Sequence, residues 1–276
     1  PMPVLAVLPF AGCGAIKTAA VKSVADTLST GSGDVFTRDD DPELVREASA
    51  FGLKMYESLL ESIPRYVPLL TSTCANFTQY AYAFVEADVD QLDSTDYEAI
   101  TALEDRAFRL YMRGRDYCLR ALEERRRGTR RALEVDAANA LGWAEKKDVG
   151  LLYWTGASWG SAISLGLDKP ELMLDIPAIR ALMARALELD ESYLSGALHS
   201  AMITIEAKPE MGGTVENARR HYARAIELSK GLDPGPHVSL AVSVAKPARD
   251  REERDRRIDV AIVHLRAEDE GRDRDE

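Results

Sequence analysis

The order of apolar and polar residues follows the period of an α-helix through most of the chain. Apolar residues recur at three- and four-residue steps, as in the stripe formed by Leu44, Ala48, Phe51, Met55 and Leu59. No segment alternates apolar and polar residues at the two-residue period of a half-buried β-strand. The pattern therefore predicts an all-α protein.

Capping residues indicate where several of these helices begin. Asp41 and Pro42 favour a helix start just before the apolar stripe. Thr95 and Glu98 form a capping box, which predicts the start of a long helix that runs through Arg127. Further helices are predicted at 66–87, at 129–135, and from Asp148, as the cap, to a point before Pro170.

Short related segments recur in the second half of the chain. Ala186-Leu-Glu-Leu-Asp190, Ala225-Ile-Glu-Leu-Ser229 and Ala261-Ile-Val-His-Leu265 are spaced by 39 and 36 residues, and Ala132-Leu-Glu-Val-Asp136 is a weaker copy. This spacing is typical of tetratricopeptide-type helical hairpins, whose ideal period is about 34 residues. We therefore predict degenerate tetratricopeptide-like helical hairpins forming a compact superhelical array, in one domain at 40–267.

The start of the chain predicts a membrane anchor. Val4-Leu-Ala-Val-Leu-Pro-Phe10 is apolar, and Ala11 and Gly12 precede Cys13. This order is typical of the end of a signal peptide with a lipobox, in which Cys13 receives lipid. The alternative is an ordinary cysteine in a buried N-terminal segment. Because the chain begins with Pro1, we expect a fragment that lacks the charged n-region of the signal.

These features predict four segments. Residues 1–12 are the end of the signal and lipobox, and residues 13–39 are an N-terminal helix and a flexible tether. The helical domain at 40–267 follows. Residues 268–276 are charged and of low complexity, so we predict a disordered tail.

Composition and motifs disfavour several functions. The formal net charge of −11 disfavours binding to a nucleic-acid backbone. The chain contains no glycine-rich nucleotide loop, no HExxH and no CxxC, and its carboxylates are too scattered to indicate an acid–base pair. We therefore predict no enzyme activity, no cofactor and no metal site.

Two pairs of residues can meet only when the chain folds. His199 and His221 lie on the two helices of one predicted hairpin, so they can meet in space, and we expect each to be a packed or hydrogen-bonded histidine rather than a metal ligand. Cys74 and Cys118 lie inside predicted helices. They can form a disulfide in an oxidising compartment or remain two buried thiols, and the sequence leaves both open.

Two segments combine aromatic and polar residues. Leu151-Leu-Tyr-Trp-Thr-Gly-Ala-Ser-Trp-Gly160 indicates either close helix packing or the aromatic wall of an apolar pocket. Leu110-Tyr-Met-Arg-Gly-Arg-Asp-Tyr117 indicates either a buried Arg–Asp–Tyr network or an arginine that holds an anionic ligand. The candidate ligand or pore residues are Tyr153, Trp154, Trp159, Tyr80, Arg113, Arg115 and Tyr117.

These two segments resemble the T-component family of TRAP (tripartite ATP-independent periplasmic) transporters, the TatT-like proteins. The same resemblance extends over about residues 40–250, in order, and fades after Val244. It also includes Asn76-Phe-Thr-Gln-Tyr-Ala-Tyr-Ala-Phe84, Gly196-Ala-Leu-His199, Ala218-Arg-Arg-His-Tyr222 and Leu228-Ser-Lys-Gly231. The resemblance implies a non-enzymatic periplasmic lipoprotein that associates with the substrate-binding P subunit. It also implies a homotrimer around a pore and hydrophobic or organic-acid ligands.

The sequence thus predicts an accessory lipoprotein of a TRAP-type solute uptake system. We expect it in the periplasm, lipid-anchored to the outer (or inner) membrane of a Gram-negative-type bacterium. The alternative is an envelope scaffold that binds proteins through tetratricopeptide-like hairpins and has no transport role. Genes for the membrane subunits of a transporter nearby would favour the first prediction.

Overall fold

The computed structural model describes residues 18–29, 38–166 and 169–272, with side chains up to residue 263. Within these ranges every regular element is a helix and there is no β-strand, which confirms the all-α prediction. The described residues form an N-terminal unit and a C-terminal unit, divided in the chain between Arg127 and Gly128. Cys13, the lipobox, most of the tether and residues 273–276 lie outside the described ranges.

Among its described residues, the N-terminal unit contains four α-helices, α1 (18–29), α2 (Pro42–Ser62), α3 (Val67–Tyr80) and α4 (Tyr97–Arg125). Helix α3 continues without a break into a π-helical turn, Ala81–Glu86, and a 3-10 turn, Ala87–Gln91. Helices α2 and α4 both pack against α3.

The part of the C-terminal unit that the structure describes contains eight further α-helices. They are α5 (Thr129–Val135), α6 (Val149–Leu165), α7 (Pro170–Met173), α8 (Ile176–Asp190), α9 (Ala197–Glu206), α10 (Val215–Leu228), α11 (Gly235–Leu240) and α12 (Arg251–Arg272). Three neighbouring pairs pack together, namely α6 with α8, α9 with α10, and α11 with α12. A π-helical turn, Ala241–Ala245, continues α11.

The predicted caps are right for α2 and one residue off for α4. The Asp41 carboxylate accepts a hydrogen bond of 3.0 Å from the backbone N–H of Leu44, as a helix cap does. At α4 the cap is Asp96, not Thr95, and it accepts from the backbone N–H of Ala99 at 3.1 Å. The hydroxyl of Thr95 instead donates to Asp93 at 2.7 Å. The predicted capping box is therefore wrong, because Thr95 forms its hydrogen bond within the turn before α4.

The buried face of α2 also differs from the predicted stripe. Phe51 is 71% exposed and Leu44 is 54% exposed, whereas Leu53, Tyr56 and Leu60 are buried. Both sets follow the same three- and four-residue steps, so periodicity alone cannot distinguish them. The hydroxyl of Tyr56 donates to the carbonyl oxygen of Leu28 at 3.0 Å, which joins this buried face to α1.

The recurring alanine segments end helices at two of their three main positions. Ala186 and Ala225 are buried within the last two turns of α8 and α10. The third segment begins at Ala261, which is also buried, but it lies within α12, because that helix continues to Arg272. The backbone of 268–272, in the predicted tail, is therefore helical. The tetratricopeptide-like hairpins and the single domain at 40–267 stay predictions.

A disulfide joins α3 and α4 in the N-terminal unit. Cys74 of α3 and Cys118 of α4 are both fully buried, and their Cα atoms are 5.5 Å apart. That separation is typical of a disulfide. Of the two alternatives that the sequence leaves open, the structure has the bonded pair.

Candidate functional site

The small residues of α6 lie against α8. A Cβ atom added at Gly156 would come within 2.9 Å of Cε and 3.2 Å of Cγ of Met183. A Cβ atom at Gly160 would lie 3.7 Å from Cγ2 of Ile179. Glycine therefore lets the two helices approach closely here, and this part of the aromatic segment serves helix packing.

Trp159 is part of the packed interior. Its side chain is buried, and its indole N–H donates to a carboxylate oxygen of Asp175 at 3.1 Å. A buried tryptophan usually requires such an acceptor for its N–H. This environment favours a structural role for Trp159 over contact with a ligand.

Tyr153 and Trp154 are only half-buried, and a third aromatic residue joins them. Their ring centroids are 4.8 Å apart, and the ring of Tyr193 lies 5.6 Å from that of Tyr153. Burial raises the pKa of the Tyr193 hydroxyl, and a hydrogen bond with Trp154 offsets part of this rise. We call Tyr153, Trp154 and Tyr193 the aromatic cluster.

Sequence reasoning missed Tyr193, which lies in a strained connection rather than in a helix. The next three residues, Leu194, Ser195 and Gly196, have φ values of 45°, 55° and 101°. Residues other than glycine rarely adopt this left-handed region. No local pattern around Tyr193 distinguishes this connection from an ordinary turn.

Asp148 does not cap α6 as predicted. Its buried carboxylate accepts a 3.0 Å hydrogen bond from the backbone N–H of Glu145, and it makes no capping bond to the helix. The bond instead closes the short 3-10 turn Lys146–Asp148, which precedes α6. The Asp148 carboxylate therefore forms its hydrogen bond in the turn before α6, and not with the first turn of α6 as the sequence predicts.

In the N-terminal unit, Arg113 and Tyr117 share a carboxylate that the sequence did not assign to them. Both contact Oε1 of Glu57 on α2: Arg113 through an ion pair, and the hydroxyl of Tyr117 through a 2.7 Å hydrogen bond. Lys54 contacts the other carboxylate oxygen at 2.7 Å. The ring of Phe77 stacks on Tyr117 at 5.8 Å and lies beneath the Arg113 guanidinium at 5.1 Å. We call these five residues the Glu57 cluster.

The electrostatics of this cluster favour an ionised Glu57. Burial alone raises the pKa of its carboxyl group. Hydrogen bonds from Lys54, Tyr117 and Arg113 outweigh burial, so the pKa lies below its usual value. Burial and the hydrogen bond to Glu57 also raise the pKa of the Tyr117 hydroxyl. At neutral pH a carboxylate therefore already occupies the anion position beside Arg113.

The predicted Arg–Asp–Tyr network is only partly right. Arg115 does pair with Asp116, at 2.8 Å, and its side chain is 12% exposed. The hydroxyl of Tyr117, however, donates its hydrogen bond to Glu57 of α2 and not to Asp116. Tyr80 is buried elsewhere in the same unit, where its hydroxyl accepts a 3.3 Å hydrogen bond from Arg106.

His199 and His221, which the sequence places on neighbouring helices, come together with 2.8 Å between their Nδ1 atoms. This distance makes the pair a hydrogen-bonded contact between α9 and α10. Over the part of the chain that the structure describes, no group of three or more metal-binding side chains is suitably placed for an ion.

The family model of the TRAP transporter T-component matches residues 38–270. The chain belongs to this family. It is also similar to an uncharacterized protein of Treponema pallidum (strain Nichols). The two are 30% identical over 272 residues, which cover 92% of this chain and 84% of the relative.

Membership of the T-component family makes the protein an accessory component of a TRAP transporter system. The family is not known for enzyme activity. A transporter component is expected in the cell envelope. Among the described residues, no helix is both long and apolar enough to cross a membrane.

Proposed function

We propose that this protein is a periplasmic lipoprotein that serves a TRAP-type uptake system by binding its substrate-binding P subunit. The family match over residues 38–270 carries this proposal. The T-component model spans nearly all of the described helices, so we expect the partner-binding surface to lie on these helices.

The proposed compartment and anchor have separate support. A buried disulfide between Cys74 and Cys118 fits an oxidising compartment such as the periplasm. The lipobox pattern supports lipid attachment at Cys13, in the outer or the inner membrane. Cys13 precedes the described residues, so its support comes from the sequence alone.

The aromatic cluster is the best candidate for contact with an apolar ligand or the apolar part of an organic acid. Tyr153 and Trp154 keep part of their ring surface accessible, whereas Trp159 is buried and bonded to Asp175. Arg113 is a weaker candidate for the acidic group of a ligand, because Glu57 already neutralises it. Arg115 is likewise paired, with Asp116. A homotrimer around a pore stays part of this proposal.

Copurification tests the partner. The protein would be isolated, after mild cross-linking, from the envelope of a strain that also encodes a P subunit. We expect mass spectrometry to identify that P subunit as a cross-linked partner. Recovery of the protein without any P subunit, although the subunit is expressed, would contradict the proposed partner.

A fluorescent probe tests the ligand site. The probe 1-anilinonaphthalene-8-sulfonate is both apolar and anionic. We expect Trp154→Ala to weaken its binding at least tenfold, because this change removes the half-buried indole ring. Trp159→Phe is the matched control and should retain the wild-type affinity. Equal affinities for all three proteins would exclude the aromatic cluster as the binding site of this probe.

One observation favours the alternative of a protein-interaction scaffold. Phe51 and Leu44 expose most of their apolar side chains on α2, and exposed apolar residues of this kind are common where proteins bind. If Phe51→Ser reduces recovery of envelope proteins other than the P subunit, the scaffold is favoured. Loss of the P subunit instead would assign this face of α2 to the transporter.

A further inference from the structure

The histidine pair forms a direct polar contact between two helices of the C-terminal unit. His199 lies in the first turn of α9, and His221 lies near the middle of α10. Their Nδ1 atoms are 2.8 Å apart and their ring centroids 5.0 Å apart. His199 is buried. This contact therefore links the two helices through atoms that exchange protons near neutral pH.

The hydrogen bond between the two rings sets a limit on how many protons they can hold. One Nδ1 must carry a hydrogen atom, and the other must offer its lone pair. A first added proton preserves this arrangement, because one imidazolium can donate to one neutral imidazole. A second added proton places hydrogen on both Nδ1 atoms, so the bond is lost and two cations face each other.

The carboxylates that face the pair already form ion pairs with arginines. Glu191, directly after α8, lies 3.5 Å from Nε2 of His199, and it also forms an ion pair with Arg224 of α10. Glu206 of α9 is bound by Arg180 of α8 at 2.5 Å and by Asn217 of α10 at 3.1 Å.

Burial, together with the nearby arginines, opposes a second positive charge on the pair. Arg180, Arg220 and Arg224 all act on the pair and disfavour protonation. Burial is the largest effect lowering the pKa of His199, and it outweighs the attraction of Glu191. Burial and then the charge of His199 lower the pKa of His221. Geometry and electrostatics therefore both disfavour the state in which His199 and His221 are protonated at the same time.

We propose that the His199–His221 contact makes the α9–α10 hairpin acid-sensitive, so that uptake of a second proton breaks the contact and loosens the hairpin. In an unfolded or opened segment both histidines titrate near their ordinary pKa of about 6.5. The closed hairpin binds fewer protons, so its stability is fully present above this pH. Stability is lost as pH falls below about 6.5 towards the lower pKa of the closed pair.

Because of where the hairpin lies, its acid sensitivity would also affect the connection that precedes α9. Helix α9 begins directly after Gly196, which follows the strained residues Leu194 and Ser195. A Cβ atom at Gly196 would lie only 3.2 Å from Cβ of Leu228 on α10, so the connection packs on the hairpin. Loosening of the hairpin therefore releases the strained connection that holds Tyr193 in the aromatic cluster.

Hydrogen exchange followed by mass spectrometry tests the proposal on the full chain between pH 7.5 and 5. Wild type is compared at each pH with His221→Asn, whose side-chain amide can replace the bond but cannot titrate. Comparison at the same pH cancels the intrinsic dependence of exchange on pH. Opening of α9–α10 with uptake of one proton should increase about tenfold from pH 6 to pH 5 in wild type. In His221→Asn we expect a smaller increase than in wild type, because only His199 can still take up a proton and its imidazolium can donate to the introduced amide oxygen.

His237→Asn is the matched control, because it removes a buried histidine that contacts Tyr222 rather than the pair. We expect it to retain the tenfold step. A wild-type hairpin without the step, or an equal step in His221→Asn, would overturn the proposal. If His221→Asn does not fold, NMR titration of the wild-type imidazoles decides the matter. At least one of the two should titrate below the pH at which histidines of the urea-unfolded chain titrate, and two ordinary titrations would overturn the proposal.

Discussion

Glu57 shows how a single side chain gains its role through the fold. On the sequence it is one of 46 acidic residues, with nothing in its surroundings to single it out. In the structure it is the common acceptor for Arg113 and Tyr117, and its side chain is only 12% exposed. Charge-assisted hydrogen bonds in such a protected position contribute more than exposed ion pairs do.

We therefore expect Glu57→Gln to reduce the free energy of unfolding by about 2 kcal/mol, because the bonds to Arg113 and Tyr117 lose their charge. Urea denaturation followed by circular dichroism measures the change. Glu61→Gln is the matched control, since Glu61 lies on the same helix and is exposed. We expect the control to stay within about 0.5 kcal/mol of wild type. Equal losses in both variants would contradict a special role for Glu57.

The pH dependence of this difference provides a second test. The pKa of folded Glu57 lies below its usual value of 4.5. The unfolded chain therefore takes up a proton at higher pH than the folded protein, and stability falls on acidification. The advantage of wild type over Glu57→Gln should be full above about pH 5. It should decline as pH falls through the lowered pKa. An advantage that is constant from pH 6 to pH 3 would contradict this assignment.

Among the helices, the pairing of α6 with α8 depends on the small face of α6. Gly156 leaves no space for a side chain, because Met183 is fully buried against it. In the same helix Trp159 is buried, and Tyr153 and Trp154 pack against each other. The composition of α6 therefore reflects both close helix packing and aromatic contacts.

We expect Gly156→Val to reduce the free energy of unfolding by about 1–3 kcal/mol, because the added methyl groups overpack the contact with Met183. Thermal or urea denaturation measures this loss. Gly52→Val in α2 is the matched control, since a Cβ atom there meets nothing within 4 Å. Valine is a slightly better helix former than glycine, so the control should be neutral to within about 0.5 kcal/mol. A neutral Gly156→Val would show that α8 can move away.

The disulfide between α3 and α4 closes a loop of 44 residues in sequence separation. Replacement by Cys74→Ala and Cys118→Ala together should reduce the free energy of unfolding by about 4 kcal/mol, mainly because the unfolded chain gains freedom. Urea denaturation with and without a reductant provides the measurement. The reductant should destabilise wild type and leave the double variant unchanged. A double variant as stable as oxidised wild type would contradict this estimate.

For the complete chain, the main open prediction concerns membrane attachment. Expressed from its own gene, the protein should fractionate with membranes, and Cys13→Ser should release it, because the lipid-accepting thiol is lost. Immunoblotting of membrane and periplasmic fractions makes the measurement. The Cys74→Ala and Cys118→Ala protein is the control and should stay with the membranes. Membrane attachment that survives Cys13→Ser would rule out Cys13 as the anchor.

Several predictions from the sequence are confirmed in detail. Helix α5 spans 129–135, as predicted, and Asp41 caps α2. The errors are also informative. The apolar stripe of α2 includes Phe51, which the fold leaves exposed, and the capping box names Thr95 where Asp96 provides the cap. Local signals identify an element reliably, but competing residues one position away alter its face and its first residue.

The candidate site was predictable to a smaller extent. Sequence reasoning selected Tyr153, Trp154 and Trp159 together, and the structure separates the buried Trp159 from the two half-buried residues. Tyr193 was not selected, because it follows α8 in a connection without a recognisable pattern. The sequence therefore indicates which aromatic residues belong to the candidate site better than it indicates whether each of them is buried.

Patterns along the chain predict the all-α class and most helix positions, because helix periodicity and caps act over one or two turns. Characteristic sequence segments indicate the family. The folded structure was needed to establish that Cys74 bonds to Cys118, that Tyr117 binds Glu57 and that the rings of His199 and His221 come into contact. These partners are separated by 44, 60 and 22 residues along the chain. Such contacts depend on how helices pack and not on local preference, since many residues compete for each partner until the chain has folded.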